Sequence, residues 1–441
     1  MSESTPLDYQ SPEPSQGEPA GPPKGALGTI FLIVFMDLLG FGIIIPLLPF
    51  YVKTPQDHPF KVTLLFSLYS ICQFIGAPIL GALSDRIGRR PVLAFSQLGS
   101  VIGYLLLGVA TQFHWRHPGT MIALVYVSRI IDGFSGGNIS TAQAYISDVT
   151  TRENRAKGMG LIGAAFGIGF SVGPFLGGVL GSVHVSIPAY FAAAFSAVAA
   201  ILTLIKLKES RVHKPTEAEA WLHPSRFLPV LRRPVLVQLL AISFFLMAAF
   251  VMMESTVGLF LNGNRFFHWG AREVGWYFAF IGVIIAIVQG GLIGKLTKRF
   301  GDWPLSITGP LLVATGMIGY FGVEHWPAAF APALGLLMLT GALNAIGRSI
   351  QGPTSSSLIS KFSDPRDQGV VFGLYHGLSS LARVIGPIVA GATYPLMRHT
   401  GQFITAGVIA AAMGLWTLAL RQPAPHEPEP SAARESAIES A

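Results

Sequence analysis

The feature that most limits what this chain can fold into is a run of apolar stretches, each about as long as the ~20 residues a helix needs to cross a bilayer. They lie near 27–51, 62–83, 92–111, 120–143, 158–181 and 187–207. A second set lies near 234–260, 272–294, 304–322, 331–358, 369–394 and 400–420. Composition fits: 51% of the 441 residues are hydrophobic and 12% are charged, against roughly 25% charged in a soluble domain. A water-soluble chain of this length has no core large enough for so much apolar surface. The expected fold class is an all-α integral membrane protein with twelve transmembrane helices in two six-helix bundles.

The charges give an orientation. With loops assigned alternately to opposite sides, one side holds Arg86, Arg89, Arg90, Arg152, Arg155, Lys157, Lys206, Lys208, Arg211, Lys214, Arg226, Arg232, Arg233, Lys295, Lys298, Arg299, Lys361 and Arg366. The other holds only Lys53, Lys61, Arg116, Arg265, Arg272 and Arg398. The positive-inside rule makes the richer side cytoplasmic, with both termini on it. Net charge of +7 is then a mark of topology, and no nucleic-acid partner is expected. Residues 1–24 and 422–441, rich in Pro, Glu and Ser, read as disordered cytoplasmic tails. The bundles are expected at 25–207 and 234–421, joined by a cytoplasmic loop at 208–233. The first tail lacks the basic and apolar pattern of a secretory signal. Cys72 is the sole cysteine, so an internal disulfide framework is excluded.

The two halves repeat. Gly81-Ala-Leu-Ser-Asp-Arg-Ile-Gly-Arg-Arg-Pro91 follows the second stretch, and Gly294-Lys-Leu-Thr-Lys-Arg-Phe-Gly-Asp-Trp-Pro304 follows the eighth, offset by 213 residues. Gly160, Gly173-Pro174 and Gly178 recur at the same offset as Gly373, Gly386-Pro387 and Gly391. A parallel duplication of this kind suits a substrate site between two rocking bundles.

The loop Gly81, Asp85, Arg86, Gly88, Arg89, Arg90 through Pro91 resembles the signature loop of the major facilitator superfamily. Asp37 to Pro49, and Arg129 with Gly133, add to the likeness. Gly163, Gly167, Gly173, Pro174, Gly177 and Gly178 resemble the fifth-helix motif of its drug/proton antiporters, and the whole is most similar to the tetracycline/proton antiporters. The resemblance implies a major facilitator fold, a monomer, a small-molecule substrate, no cofactor or metal, and drive by the proton gradient. It gives Asp85 and Arg89 a gating role; the plain alternative is that the arginines anchor the loop inside. The glycine motif is implied to be a hinge or a seal against leak. Close packing through small residues is the equal alternative. In the second copy Lys298 and Asp302 stand where Asp85 and Arg89 do, which retains a charge pair with its signs exchanged.

Charges inside the spans carry the function. Each costs at least about 2.5–3.5 kcal/mol at the bilayer centre, so it must face a partner or water. They are Asp37, Arg129, Asp132, Glu254, Arg348 and Arg383. A buried carboxylate changes its protonation readily, which makes Asp37 and Glu254 the best proton carriers. His376 is a third candidate or a packing residue. Arg129 and Asp132, three residues apart, neutralise each other or serve the cavity. Arg383 serves the cavity or ties the halves together through carbonyls. Met247, Met252, Met253, Phe244, Phe245 and Phe250 offer adaptable surface to an apolar ligand or plain packing.

Gly103, Ile285 and Val313 stand where the tetracycline antiporters carry two acids and a histidine, so a different substrate is expected. The reading is a bacterial inner-membrane antiporter that exports a small hydrophobic or amphipathic compound; the alternative is a proton-coupled importer of a metabolite. An enzyme is not expected, since no HExxH, CxxC, GxSxG or GKS/GKT run occurs.

Overall fold

The computed structural model describes residues 26–51, 58–112, 118–150, 152–210, 230, 232–326, 328–363, 368–397 and 399–420. The tails and most of the 208–233 stretch lie outside the described residues. Those described form helices and turns, with no strand among them.

Each of the twelve apolar stretches is a helical rod. In the first half these are α1 (Ala26–Ile44, running on as a tight turn through Ile45–Tyr51), α2 (Pro59–Ile87), α3 (Arg89–Gln112), α4 (Pro118–Ser135) continued by α5 (Ile139–Val149), α6 (Arg152–Gly181) and α7 (Ile187–Lys206). The second half has α8 (Pro234–Gly263), α9 (Ala271–Ile287) continued by α10 (Ile293–Phe300), α11 (Asp302–His325), α12 (Phe330–Lys361), α13 (Gln368–Thr393) and α14 (Gly401–Ala419). Among the described residues, nine of the rods are long and apolar enough to cross a membrane; α4, α6 and α13 are the others. Proline at the first or second position of α2, α7 and α8 fixes their starts, where no backbone N–H partner is lost. Large apolar side chains face outward around the rods, Ile205 at 75% and Phe95 at 67% exposure, as lipid permits and water does not.

Packing repeats as the sequence does. In the first half α1 lies on α6 and α7, and α3 on α4 and α7. The corresponding rods of the second half meet in the same way, α8 on α13 and α14, and α11 on α12 and α14. Between halves, α6 meets α9 and α2 meets α13. Among the described residues these contacts are tight at one end. A Cβ on Gly275 would sit 2.5 Å from the Gly178 Cα, so the two backbones touch. Nearby, Ser67 Oγ donates to the Val384 carbonyl at 3.0 Å, and Gly391 packs on Phe60 and Thr63. Toward the end that carries the basic loops, Gly290, Gly291, Gly294, Gly373 and Gly377 have open space around them. The molecule is a wedge. Its closed edge lies opposite its basic end.

The first basic turn, between α2 and α3, is clamped. Arg89 Nη1 lies 2.8 Å from Asp85 Oδ1 and donates to Ser84 Oγ at 2.6 Å, while its Nε reaches Asp148 Oδ2 at 3.1 Å. Glu209, just past α7, accepts from the backbone N–H groups of Arg89 at 2.9 Å and Arg90 at 3.1 Å. A carboxylate on the first amides of a helix is stabilising there. Arg90 donates to the Leu204 carbonyl, and Arg86 is exposed. The partners of Arg89 that these contacts give lie in the first half or, for Glu209, just past its last helix. Gly81 lies in ordinary contact with Ser140.

The second copy differs from expectation. Asp302 does not pair with Lys298; its carboxylate meets Lys361 Nζ at 2.6 Å and Ser357 Oγ at 2.6 Å. Asp302 is short and sits buried at the start of α11, facing the end of α12, so its partners come from there.

Gly88 has φ +105° and ψ 156°, a conformation that costs a residue with a side chain about 1–3 kcal/mol. A Cβ there would also sit 2.5 Å from Glu209 Oε2. Gly88→Ala is therefore expected to lower thermal stability in detergent, and Glu209→Ala to do so too. The double variant should lose less than the sum, because both changes release one clamp. Unchanged midpoints for both single variants would refute the clamp.

Candidate functional site

At the closed end of the wedge, where the halves meet, lies a cavity of about 20 Å³, room for about one water molecule. It is lined by Phe41, Ile44, Ile45 and Leu48 from α1 and its continuation, and by Leu65, Phe66, Tyr69 and Ser70 from α2. Arg129 of α4 completes the first-half wall, and Val251 and Glu254 of α8 with Arg383 of α13 form the other. Three of the six intramembrane charges thus converge from both halves on one small, mostly apolar space. Glu254 is 6% exposed, within a helix whose neighbouring Ser255 and Thr256 hydroxyls turn back to the Met252 carbonyl. The arginines Arg383 and Arg348 lie close enough to act on its charge.

Arg129 belongs to this cavity and to a second polar group behind it. Its Nη1 lies 3.2 Å from Asp132 Oδ2, both side chains 2% exposed, and its guanidinium stands over the Tyr104 ring at 5.7 Å. The mutual neutralisation is thus present, and so is the place in the cavity. Arg129 Nε and Nη2 have no hydrogen-bond partner among the described residues. Asp37, buried at 8% exposure, is not in the cavity wall. Gln97 of α3 and Asn138, which follows α4, place their side chains on its carboxylate, and Asp132 is close enough to act on it. Ser100 and Tyr104 face Asp132. Two carboxylates and one guanidinium are packed inside the first half, and Arg129 connects them to the cavity.

The other candidates are placed as follows. Arg348 donates to Gln351 Oε1 at 2.8 Å and to Met247 Sδ at 3.1 Å, and it stands over the Phe250 ring at 4.4 Å. Met252 and Met253 are buried in the second-half core, and Phe245 is exposed. His376 is exposed, beside Tyr375, and takes no part in the cavity wall. The fifth-helix glycines serve two contacts, one inside the first half and one across the seam. Gly173 and Gly177 press on Gly42 and Ile43 of α1, Gly178 presses on Gly275 across the halves, and Pro174 is buried among them. Gly167 has only the Gln289 side chain near it, at 3.9 Å. The surroundings of Gly163 lie outside the described residues.

Sequence reading passed over Tyr69, Gln97, Ser100, Tyr104 and Asn138. Gln97, Ser100 and Tyr104 sit three and four residues apart in an apolar helix, a polar stripe that marks a face turned from lipid. The structure also accounts for Gly103. A Cβ there would sit 3.0 Å from the Asp132 Cβ and 3.2 Å from the Ser128 carbonyl, so any side chain at this position requires Asp132 and the α4 backbone to give way.

Comparison with known proteins agrees with this architecture. The Major Facilitator Superfamily profile matches residues 30–327 and 314–440. The tetracycline resistance protein, class C, of Escherichia coli is 31% identical over 409 residues, 90% of this chain and 97% of that protein. Multidrug resistance protein 2 of Bacillus subtilis is 27% identical over 402 residues, 88% of this chain and 94% of that protein. Among solved structures, the human organic anion transporter MFSD10 superposes with a TM-score of 0.65 at 24% identity, covering 89% of this chain and 99% of that one. A peptide transporter, POT, superposes with a TM-score of 0.71 at 15% identity, covering 92% and 95%. A helical wedge built of two like halves, with buried charges at the seam and relatives along nearly its whole length, leaves one assignment: the chain belongs to the Major Facilitator Superfamily of membrane transporters.

Proposed function

We propose that this chain is a proton-coupled antiporter of the bacterial inner membrane, a monomer with both termini cytoplasmic, which exports a small hydrophobic or amphipathic compound. The observation that carries this reading is the cavity at the seam, where Glu254 and Arg383 of one half face Arg129 of the other. An ionised carboxylate held in so confined a place needs those arginines, since a buried charge is tolerated only when paired. A protonated one needs them less. Protonation of Glu254 therefore loosens the charge contact across the seam, and loss of the proton restores it. That dependence links proton occupancy to the packing of the halves, which is the requirement for coupled transport.

Asp37 is the second proton site in this reading. Arg129 stands between Glu254 and the Asp37–Asp132 pair, so a change of charge on one side alters its hold on the other. Basic loops at the open end make that end cytoplasmic, so the structure corresponds to the inward-facing state. The cavity holds about one water, so a compound would enter only when the seam opens; Phe41, Leu48, Phe66 and Val251, then bared, are apolar and suit an apolar or amphipathic compound. Its relatives include tetracycline resistance proteins, and the packing at Gly103 favours a different compound here.

The test is expression in a drug-sensitive bacterium stripped of its main pumps, with a compound panel, alongside Asp37→Asn and Glu254→Gln. Wild-type chain is expected to confer resistance to at least one compound. Each neutralised variant should lose it while reaching the membrane in normal amount. Retained transport of a confirmed substrate by both variants would overturn the proton assignment. Alkalinisation of the medium during substrate uptake would overturn the direction.

A further inference from the structure

The two basic loops are copies at an offset of 213 residues, but they are not held alike. The first is tied down by Asp85, Asp148 and Glu209 around Arg89. Its counterpart α10 has no buried residue along its length, and a Cβ on Gly301 would meet nothing; the loop is tied only past that turn, where Asp302 meets Lys361 and Ser357 of its own half.

Between α9 and α10 the rod changes its winding. Val288–Leu292 forms a π-turn, in which the backbone bonds reach five residues instead of four. Such turns are rare and widen the helix locally. This one contains Gly290 and Gly291, adjacent residues that lack the side chains which stiffen a helix. Neither has any neighbouring atom where a Cβ would stand.

Placement gives the turn its meaning. Gly275 of α9 touches Gly178 of α6, backbone on backbone, at the closed end. Gln289 lies fourteen residues on, close to four whole turns and about 21 Å along the axis, so it is on the same face of the rod. There α6 has drawn away, and only the tip of Gln289 approaches Gly167. The rod is thus anchored on the other half at one end, widened at the π-turn, and beyond it packed only within its own half, where Ile293 and Leu296 lie against Val288, Leu305 and Ile350.

We infer that Val288–Leu292 is a hinge and that α10 is the moving gate of the basic end, swinging toward α6, the rod of the other half that its own rod faces. The inference does not depend on the substrate or on which group carries the proton. It concerns which part of the second half moves relative to its own rod. Rigid rocking of two whole halves requires no such movement.

The hinge is testable without a ligand. Spin labels on Val283→Cys and Lys298→Cys, in a Cys72→Ser background, measure the distance across the π-turn in lipid nanodiscs by pulsed electron resonance. Val283 is exposed on α9 and Lys298 is exposed on α10. The intact hinge should give a broad or two-peaked distance distribution. Gly290→Ala with Gly291→Ala should narrow it to one peak, because both new methyl groups enter open space and stiffen the backbone without a clash. The same pair of alanines should leave the thermal midpoint unchanged or higher. Gly352→Ala, at another open position in α12, serves as control and should leave the distribution broad. A single narrow distance with both glycines present would overturn the proposal. So would a broad distribution that survives both alanines, or a lower midpoint in the alanine pair.

Discussion

The structure depends on the placement of one guanidinium. Arg129 is almost wholly enclosed, pairs with Asp132 in its own helix, and still reaches the cavity that Glu254 and Arg383 line from the other half. Hydrocarbon does not tolerate such a group, so the helices around it must exclude lipid and supply opposite charge. Both conditions are met at the seam. Tight packing at Gly178 and Gly275 closes one end of it, and the polar stripe of α3 gives the arginine and its carboxylates a lipid-free side. Removal of either condition would leave a buried charge without compensation, which is costly.

Duplication explains the architecture but not the mechanics. The packing of rods repeats between the halves, yet the charges do not. The first half groups two carboxylates, Asp37 and Asp132, with one guanidinium, Arg129, whereas the second half sets one carboxylate, Glu254, near two guanidiniums, Arg348 and Arg383. The loops diverge too: Arg89 sits in a net of first-half contacts, while its counterpart Asp302 has gone over to Lys361 and Ser357. Equal ancestry has produced one loop held in a net of carboxylates and one preceded by a π-turn.

Much of this was legible in the amino-acid sequence because lipid imposes a simple code. Spans must be long and apolar, charges within them must be rare, and Asp37, Arg129, Asp132 and Glu254 therefore stood out before any helix was placed. Those four are indeed enclosed by protein. The grouping among them was not legible, since periodicity along one helix says nothing of which neighbours it meets. Glu209 escaped notice because it lies in a polar stretch, where one more acidic residue carries no signal. The Lys298–Asp302 pairing failed for a related reason: sequence spacing suggested a partner, but α12 offered Asp302 a nearer one. The π-turn leaves a trace in Gly290-Gly291, though paired glycines alone are common in membrane helices.

The central claim is that Glu254 occupies a space that water reaches from one face of the membrane, enclosed from lipid by both halves. The most direct test is the reactivity of Glu254→Cys, in a Cys72→Ser background, toward a water-soluble, membrane-impermeant methanethiosulfonate in oriented vesicles. Reaction from the cytoplasmic face is expected, at a rate well above that of Val283→Cys on the lipid-facing surface. If Glu254→Cys is as inert as Val283→Cys from both faces, Glu254 is not in a wet passage and the account fails.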